Sequence, residues 1–151
     1  MNLRDLIRNI VTGGAVPLVQ PGSWSALPLR LVTGLIFIAY GADKLFNNSA
    51  NFGMNAAFFQ ALGIPFPDFQ VVFIGALEFF GGIALIVGLF SKVFGLLLTI
   101  NMIVALLTSG NYYLEGPMAA MSLSIFLQGA GPLSLDYLLF RGQQRPAPAP
   151  L

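Results

Sequence analysis

The chain of 151 residues contains no cysteine and no histidine. Without cysteine it can form neither disulfides nor thiol redox centres, and it lacks the usual ligands of iron–sulfur clusters and zinc sites. Without histidine it cannot ligate haem in the usual way. Five methionines remain, but methionine without these partners more often fills irregular gaps in packing. We therefore expect no metal site, and any redox cofactor must be held by shape and hydrogen bonds or belong to a partner.

Charged residues are also scarce, at 9% of the chain, whereas soluble domains carry about 25%. With 56% hydrophobic residues the chain cannot cover a globule with charge, so the composition predicts an integral membrane protein. The net charge is +1 and basic residues do not cluster, so nucleic acid is not an expected partner. The expected contacts are the lipid bilayer, other membrane-protein subunits and further copies of this chain.

Long hydrophobic runs dominate the middle of the chain, and a membrane-spanning helix needs about 20 mostly apolar residues. The predicted fold class is all-α, with a bundle of four transmembrane helices within residues 27–140. The predicted spans are about 27–46, 69–90, 93–107 and 117–130. The fourth is short because Gly131 and Pro132 interrupt it, but packing and local thinning of the bilayer can accommodate a short span.

The segments outside the spans have patterns of their own. Residues 1–12 place apolar side chains on one helical face, which predicts an amphipathic helix in the membrane interface, followed by a linker to residue 26. The first outer loop, residues 47–68, contains an aromatic stretch that predicts a short helix. That helix is either a cap on the bundle or a lid over a lipid-like ligand. Residues 141–151 have the composition of a disordered tail.

The basic residues predict the orientation of the chain. With four spans, six of the seven lysines and arginines lie on the side that holds both termini, and only Lys44 lies on the other side. Under the positive-inside rule both termini are cytoplasmic, in a bacterial-type inner membrane. Three spans would place Arg141 and Arg145 outside, so the charge asymmetry also favours the fourth span.

Each predicted span carries a polar residue in the half of the membrane that faces away from the cytoplasm, at similar depths when residues are counted at about 1.5 Å each. The candidate residues are Tyr40, Lys44, Glu78, Asn101 and Ser122. An ionisable residue inside a span is costly and is by default a functional-site hypothesis. The pattern predicts one internal polar cluster, with Lys44 or Asp43 as its lid, that binds a ligand or handles a proton. It identifies no catalytic residue.

Each of these residues also has a structural interpretation. Glu78 can be protonated and bonded across helices, or can contact another subunit, instead of serving a ligand. Asn101 alone is more often a bond between helices, and Asp43 with Lys44 is more often a pair that reaches to the interface. The glycines around Glu78 let neighbouring helices approach closely. Arg30 is expected to anchor the first span at the cytoplasmic face.

Five short motifs within residues 27–138 resemble, in order, the DoxX family of small four-helix membrane proteins. They are Arg30 with Gly34; Gly41, Lys44 and Leu45; Leu62–Pro67; Glu78, Gly81, Gly82, Leu85 and Gly88; and Gly131–Asp136. The resemblance implies an oxidoreductase-associated membrane subunit, because some relatives belong to quinone-linked sulfur or thiol oxidoreductases or assemble with redox and superoxide-detoxifying enzymes. Many relatives have no established activity. Members often carry histidine where this chain has Tyr40, which argues against histidine-dependent chemistry here.

Two functions remain open at this point. In the first, the chain is a membrane subunit of an oxidoreductase, and Tyr40 and Asn101 donate to a quinone-like ligand while Glu78 moves a proton. Such a ligand needs an apolar slot with a few convergent polar groups. In the second, the chain is a non-catalytic accessory subunit, docked on a larger respiratory or photosynthetic complex through its terminal extensions and glycine-lined helices. Transport is a weaker third, because no pair of broken helices and no inverted repeat is visible.

Overall fold

The computed structural model of the protein describes residues 26–46, 49–131 and 133–140. These residues form six helices and no strand, which confirms the predicted all-α class. The helices are α1 (Ala26–Phe46), α2 (Ser49–Ala61), α3 (Pro67–Val87), α4 (Ser91–Ser109), α5 (Glu115–Gln128) and α6 (Leu135–Phe140). The predicted amphipathic helix, its linker up to residue 25 and the tail of residues 141–151 lie outside the described residues.

Three of the described helices, α1, α3 and α4, are long and apolar enough to cross a membrane, with mean hydropathies of 1.3, 2.1 and 1.8. They support the prediction of an integral membrane protein. Helix α5 has 14 residues and is not among the three. A fourth span therefore stays a prediction.

Helices α1, α3, α4 and α5 pack around a shared core. Helix α1 contacts α3, α3 contacts α4, α4 contacts α5, and α5 contacts α1, while α2 lies against α3 and α1. The fully buried apolar side chains of this core are Phe37, Leu85, Leu98 and Ile125. Lipid tails are as apolar as these side chains, so packing and polar contacts between helices hold such an assembly together. The polar contacts are therefore both the specific part of the fold and the candidate site.

Helices α1 and α3 run antiparallel and very close together because glycines face each other across the contact. A Cβ added to Gly82 would lie 2.6 Å from the carbonyl oxygen of Gly34. A Cβ added to Gly41 would overlap the backbone nitrogen of Phe79. Only glycine allows two helix backbones to approach in this way. The contact fixes which turn of α1 lies beside which turn of α3.

The boundaries of α3 differ from the predicted span of residues 69–90. The helix begins at Pro67, whose fixed φ suits a first helical position, and Asp68 lies in its first turn, where the helix dipole favours a carboxylate. It ends before Gly88, which adopts a left-handed conformation with φ 76°. The next helix starts at Ser91, two residues before the predicted span of residues 93–107, so Ser91 and Lys92 belong to its first turn.

The antiparallel order creates two ends. The first, which we call the Lys44 end, contains the last turn of α1, the first turns of α3 and α5, and the last turn of α4. The other, the Arg30 end, contains the first turns of α1 and α4, the last turns of α3 and α5, and α6. At the Lys44 end polar side chains bond to one another, and at the Arg30 end they bond mainly to backbone groups.

Candidate functional site

Glu78, on α3, is the centre of a polar contact between three helices. Its side chain is only 2% exposed. The Nζ of Lys44 lies 2.5 Å from its Oε2, and the Nδ2 of Asn101 donates to its Oε1 at 3.0 Å. One donor comes from α1 and the other from α4, so both carboxylate oxygens are satisfied. These bonds join three of the five predicted site residues.

The local sequence explains how Lys44 reaches Glu78. Lys44 lies in the last turn of α1, where the helix dipole favours a cation. Its Cβ packs on Gly75, where an added Cβ would lie 2.9 Å away, so a larger residue would push the lysine off α3. The same Nζ lies 5.8 Å from the centre of the Tyr40 ring, within reach of a cation–π contact.

Ser122 does not join the cluster, contrary to the expectation from depth alone. It is buried, and its hydroxyl donates to the carbonyl oxygen of Met118 at 2.8 Å, within its own helix. A serine in a helix often satisfies its hydroxyl in this way, so it needs no partner on a neighbouring helix. The sequence predicted that Lys44 or Asp43 would cover the cluster. Lys44 lines the cavity beside Glu78, whereas Asp43 lies next to Phe46, outside that cavity.

A cavity of about 260 Å³ lies beside Glu78, lined by residues of α1 to α5 and of the connections between them. Its walls are mostly apolar and aromatic, and α2 contributes Phe58 and Phe59 to them. The polar side chains on the walls are Tyr40, Lys44, Asn55, Glu78, Asn101, Thr108, Ser109 and Glu115. A concave, mostly apolar space with a few placed polar groups is typical of a site for a small ligand, although the volume of this cavity lies just below the usual range for ligand pockets.

Glu115 is a wall residue that the sequence reasoning missed. It lies in the first turn of α5, where the helix dipole favours a carboxylate. Its Oε1 accepts a hydrogen bond from the hydroxyl of Ser109 at 3.1 Å. Its Oε2 is buried and has no hydrogen-bond partner within the described ranges. The sequence signal for Glu115 was an acidic residue two positions before the predicted span of residues 117–130, at the same boundary as Lys44.

Arg30 closes the opposite end, and its side chain is buried between the helices, at 1% exposure. Its Nε donates to the carbonyl oxygen of Leu85 at 2.8 Å and its Nη2 to that of Ile86 at 2.9 Å. Its Nη1 donates to the carbonyls of Ala130 and Leu133. The last carbonyls of a helix lack partners within it, and the five N–H groups of arginine can supply them. Arg30 therefore clamps the end of α3 to the segment that follows α5.

Asp136 fastens the same segment to α4. Its side chain is 4% exposed, and its two oxygens accept the backbone N–H groups of Phe90 at 2.7 Å and Ser91 at 2.9 Å. Its own N–H donates to the carbonyl of Gly88 at 2.9 Å. Lys92, 2% exposed, interacts electrostatically with the same carboxylate. These contacts give the motif Gly131–Asp136 a structural role at the Arg30 end.

Replacing Lys44 by methionine is expected to lower the free energy of unfolding by about 1–2 kcal/mol, because it leaves a buried carboxylate without its cation. The partial exposure of Lys44, 18%, keeps this estimate modest. The double variant K44M/E78Q is expected to be more stable than K44M alone. A double-mutant cycle of unfolding free energies in mild detergent measures the coupling. Strictly additive costs would contradict the ion pair.

Comparison with known proteins identifies the family of this chain. The DoxX family model matches residues 25–111, which include α1, α3, α4 and the Lys44–Glu78–Asn101 contact. A protein named "Putative oxidoreductase CatD", from Bacillus subtilis (strain 168), is 30% identical over 127 residues, covering 78% of this chain and 89% of that protein. No solved structure matches. The motifs, the apolar helices and these matches agree, and the chain belongs to the DoxX family of membrane proteins.

Proposed function

We propose that this protein is a membrane subunit of an oxidoreductase and that the cavity beside Glu78 binds a quinone-like molecule. The observation that carries the proposal is the combination of aromatic, apolar walls with the Lys44–Glu78–Asn101 contact on one side. The name of the Bacillus relative supports the general class of redox function. The electrons would come from a partner subunit, because the chain has no cysteine or histidine to hold a metal redox centre.

The polar contact suits the carbonyl of such a ligand. The amide of Asn101 has a second N–H beyond the one it gives to Glu78, and Lys44 has further N–H groups. Tyr40 is another polar residue that lines this cavity. Because both oxygens of Glu78 already accept bonds, its first task is to position Lys44 and Asn101. Proton transfer to or from the ligand would then involve the Lys44–Glu78 pair rather than a free carboxylate.

The proposal includes a topology. Helix α5 would be the fourth span, both termini would be cytoplasmic, and the membrane would be a bacterial-type inner membrane. Two observations support this arrangement: α5 packs between α4 and α1, and Arg30 and Lys92 lie at the end opposite Lys44. Under the positive-inside rule the Lys44 end, with the cavity, then faces away from the cytoplasm.

The packing of the glycines removes one argument for the alternative function, a non-catalytic accessory subunit. It relied on glycine-lined helices to contact another protein, but Gly34, Gly41, Gly75 and Gly82 pack within the chain, between α1 and α3. They are therefore not available to a partner. Other membrane subunits or further copies of this chain would dock elsewhere on its surface.

Replacing Glu78 by glutamine is expected to lower the affinity for a quinone about tenfold or more, and to abolish quinone-dependent turnover of the complex that co-purifies in mild detergent. Glutamine keeps the size of the side chain but loses the charge that holds Lys44. The measurements are quinone binding, turnover and the melting temperature.

The matched control is Asp68→Asn, which removes an exposed carboxylate from the same helix and away from the cavity walls. It should change neither binding nor turnover. Normal quinone binding and reduction by E78Q, in a protein that melts like the wild type, would sink the proposal.

A further inference from the structure

We infer that the cavity opens sideways into the bilayer beside Val104, and that its ligand keeps a ring inside the cavity while an alkyl tail leaves through this opening. The inference rests on the proposed function, because it specifies the class of quinone: a membrane-dissolved molecule with a long apolar tail, and not a small water-soluble one. It depends on side chains of α2 and α4 that lie outside the Lys44–Glu78–Asn101 contact.

The wall residues of the cavity differ in their exposure. Phe37, Met102 and Met118 line the cavity and are buried, so they form its closed part. Phe58 on α2 and Val104 on α4 line the same cavity but are 40% and 51% exposed. Because one space touches both buried and half-exposed side chains, it opens to the outside of the protein beside the exposed ones.

Val104 belongs to two faces of α4. The α4 side chains that line the cavity at helical spacing are Asn101, Val104, Ala105 and Thr108. The lipid-facing stripe of α4, a set of exposed apolar side chains at the same spacing, consists of Ile100, Ile103, Val104 and Leu107. On a helix long and apolar enough to cross a membrane, such a stripe contacts lipid tails. Val104 is common to both sets, so the cavity reaches the lipid-facing side of α4 at this residue.

The apolar part of the rim lies within the depth of the span. Val104 precedes Ser109, the last residue of α4, by five positions, which is about 7–8 Å along the helix. The other exposed wall residues, Tyr40, Thr108 and Ser109, carry hydroxyls, which favour water or a polar group. An alkyl tail therefore leaves most favourably between Phe58 and Val104, where it passes from apolar walls directly into lipid.

The polar contact and the apolar opening are close enough to serve one molecule. Asn101, which bonds to Glu78, precedes Val104 by three residues, so less than one helical turn separates them. The cavity, at about 260 Å³, lies just below the usual range for ligand pockets, so it suits a ring and not a long tail. A polar ring bonded directly to an alkyl tail fits both features.

The first test uses decylubiquinone that carries a photoactivatable diazirine near the start of its tail, with the purified protein in mild detergent. Illumination should cross-link the tail to Val104 and Phe58, as mapped by mass spectrometry of the peptides. An excess of the same benzoquinone without a tail should suppress these cross-links, because the two rings compete for the cavity. Ile103, which lies on the lipid-facing stripe but not on the cavity walls, is the internal control. Any labelling of Ile103 should not respond to the competitor.

The second test narrows the opening. Val104→Trp places a larger side chain on the rim, so its loss of affinity should be about tenfold greater for decylubiquinone than for the tail-less benzoquinone. Ile103→Trp places the same side chain one position away, outside the cavity walls, and should change neither affinity. Thermal-shift titration of both variants in one detergent measures the effect.

Three results would overturn the inference while leaving the proposed function intact. They are cross-links that the competitor suppresses but that lie at Tyr40, Thr108 or Ser109, cross-links at Val104 that the competitor does not suppress, and equal losses of both ligands in V104W. The ring would still occupy the cavity in the first case, but the tail would leave by another route. Failure of the wild type to bind either ligand would overturn the proposed function as well.

Discussion

Replacing Arg30 by methionine is expected to lower the free energy of unfolding by about 3–5 kcal/mol, because several buried carbonyl oxygens lose their donor and each unsatisfied acceptor costs about 1–3 kcal/mol. Methionine keeps much of the apolar stem but none of the five N–H donors. The carbonyls of Leu85, Ile86, Ala130 and Leu133 would lose their donor together. Thermal or chemical unfolding of the purified protein in mild detergent measures the effect.

Two further variants sharpen this prediction. Arg30→Lys keeps the charge, but its single ammonium cannot reproduce the planar fork that serves two helix ends, so it should recover only part of the loss. Leu35→Met changes a side chain of α1 that is 60% exposed, and it should be nearly neutral. If R30M unfolds like L35M, the clamp at this end is not a source of stability.

Replacing Gly41 by alanine is expected to cost about 3 kcal/mol, at the upper end for overpacking, because the new Cβ meets backbone that cannot rotate away. It would overlap the nitrogen of Phe79 and lie 2.7 Å from the carbonyl oxygen of Gly75. Helices α1 and α3 would have to separate. Because the Lys44–Glu78 contact bridges the same two helices, ligand binding should weaken as well as stability.

The matched control for G41A is Gly53→Ala. Gly53 lies in α2, and an added Cβ there would have nothing within 4 Å. Alanine should stabilise that helix by about 0.5–1 kcal/mol relative to glycine. The measurements are the melting temperature and the quinone affinity of each variant. Equal behaviour of G41A and G53A would contradict the close approach of α1 and α3.

The two ends of the packed helices argue against a transport pathway. At the Lys44 end a cavity reaches Glu78. At the Arg30 end the charged side chains Arg30, Lys92 and Asp136 are all buried, and Arg30 and Asp136 hold backbone groups. A pathway through the protein would require these bonds to break. A site that is reached from one end fits a bound ligand better.

Much of the candidate site could be predicted from the chain alone. Glu78 is conspicuous because an acidic residue inside an apolar run is costly and needs a partner. Lys44 and Asn101 could be matched to it by counting helical rise, since depth in a membrane is nearly a linear function of position. The same counting placed Ser122 in the cluster, because it measures the depth of a residue in the membrane and not the direction in which its side chain points from the helix. Depth alone also cannot show that the hydroxyl of a serine is hydrogen-bonded to a carbonyl of its own helix.

By itself, then, the sequence determined the membrane class, the all-α fold, the family and three members of the polar cluster, because these depend on composition and on spacing along single helices. Tertiary structure decided that Arg30 is a buried clamp, that Asp136 caps α4, and that one oxygen of Glu115 is buried without a hydrogen-bond partner among the described residues. The partners of Arg30 lie 55 to 103 residues away along the chain. Such pairs form only once the glycines of α1 and α3 have set the register between the helices, and no local pattern encodes that register.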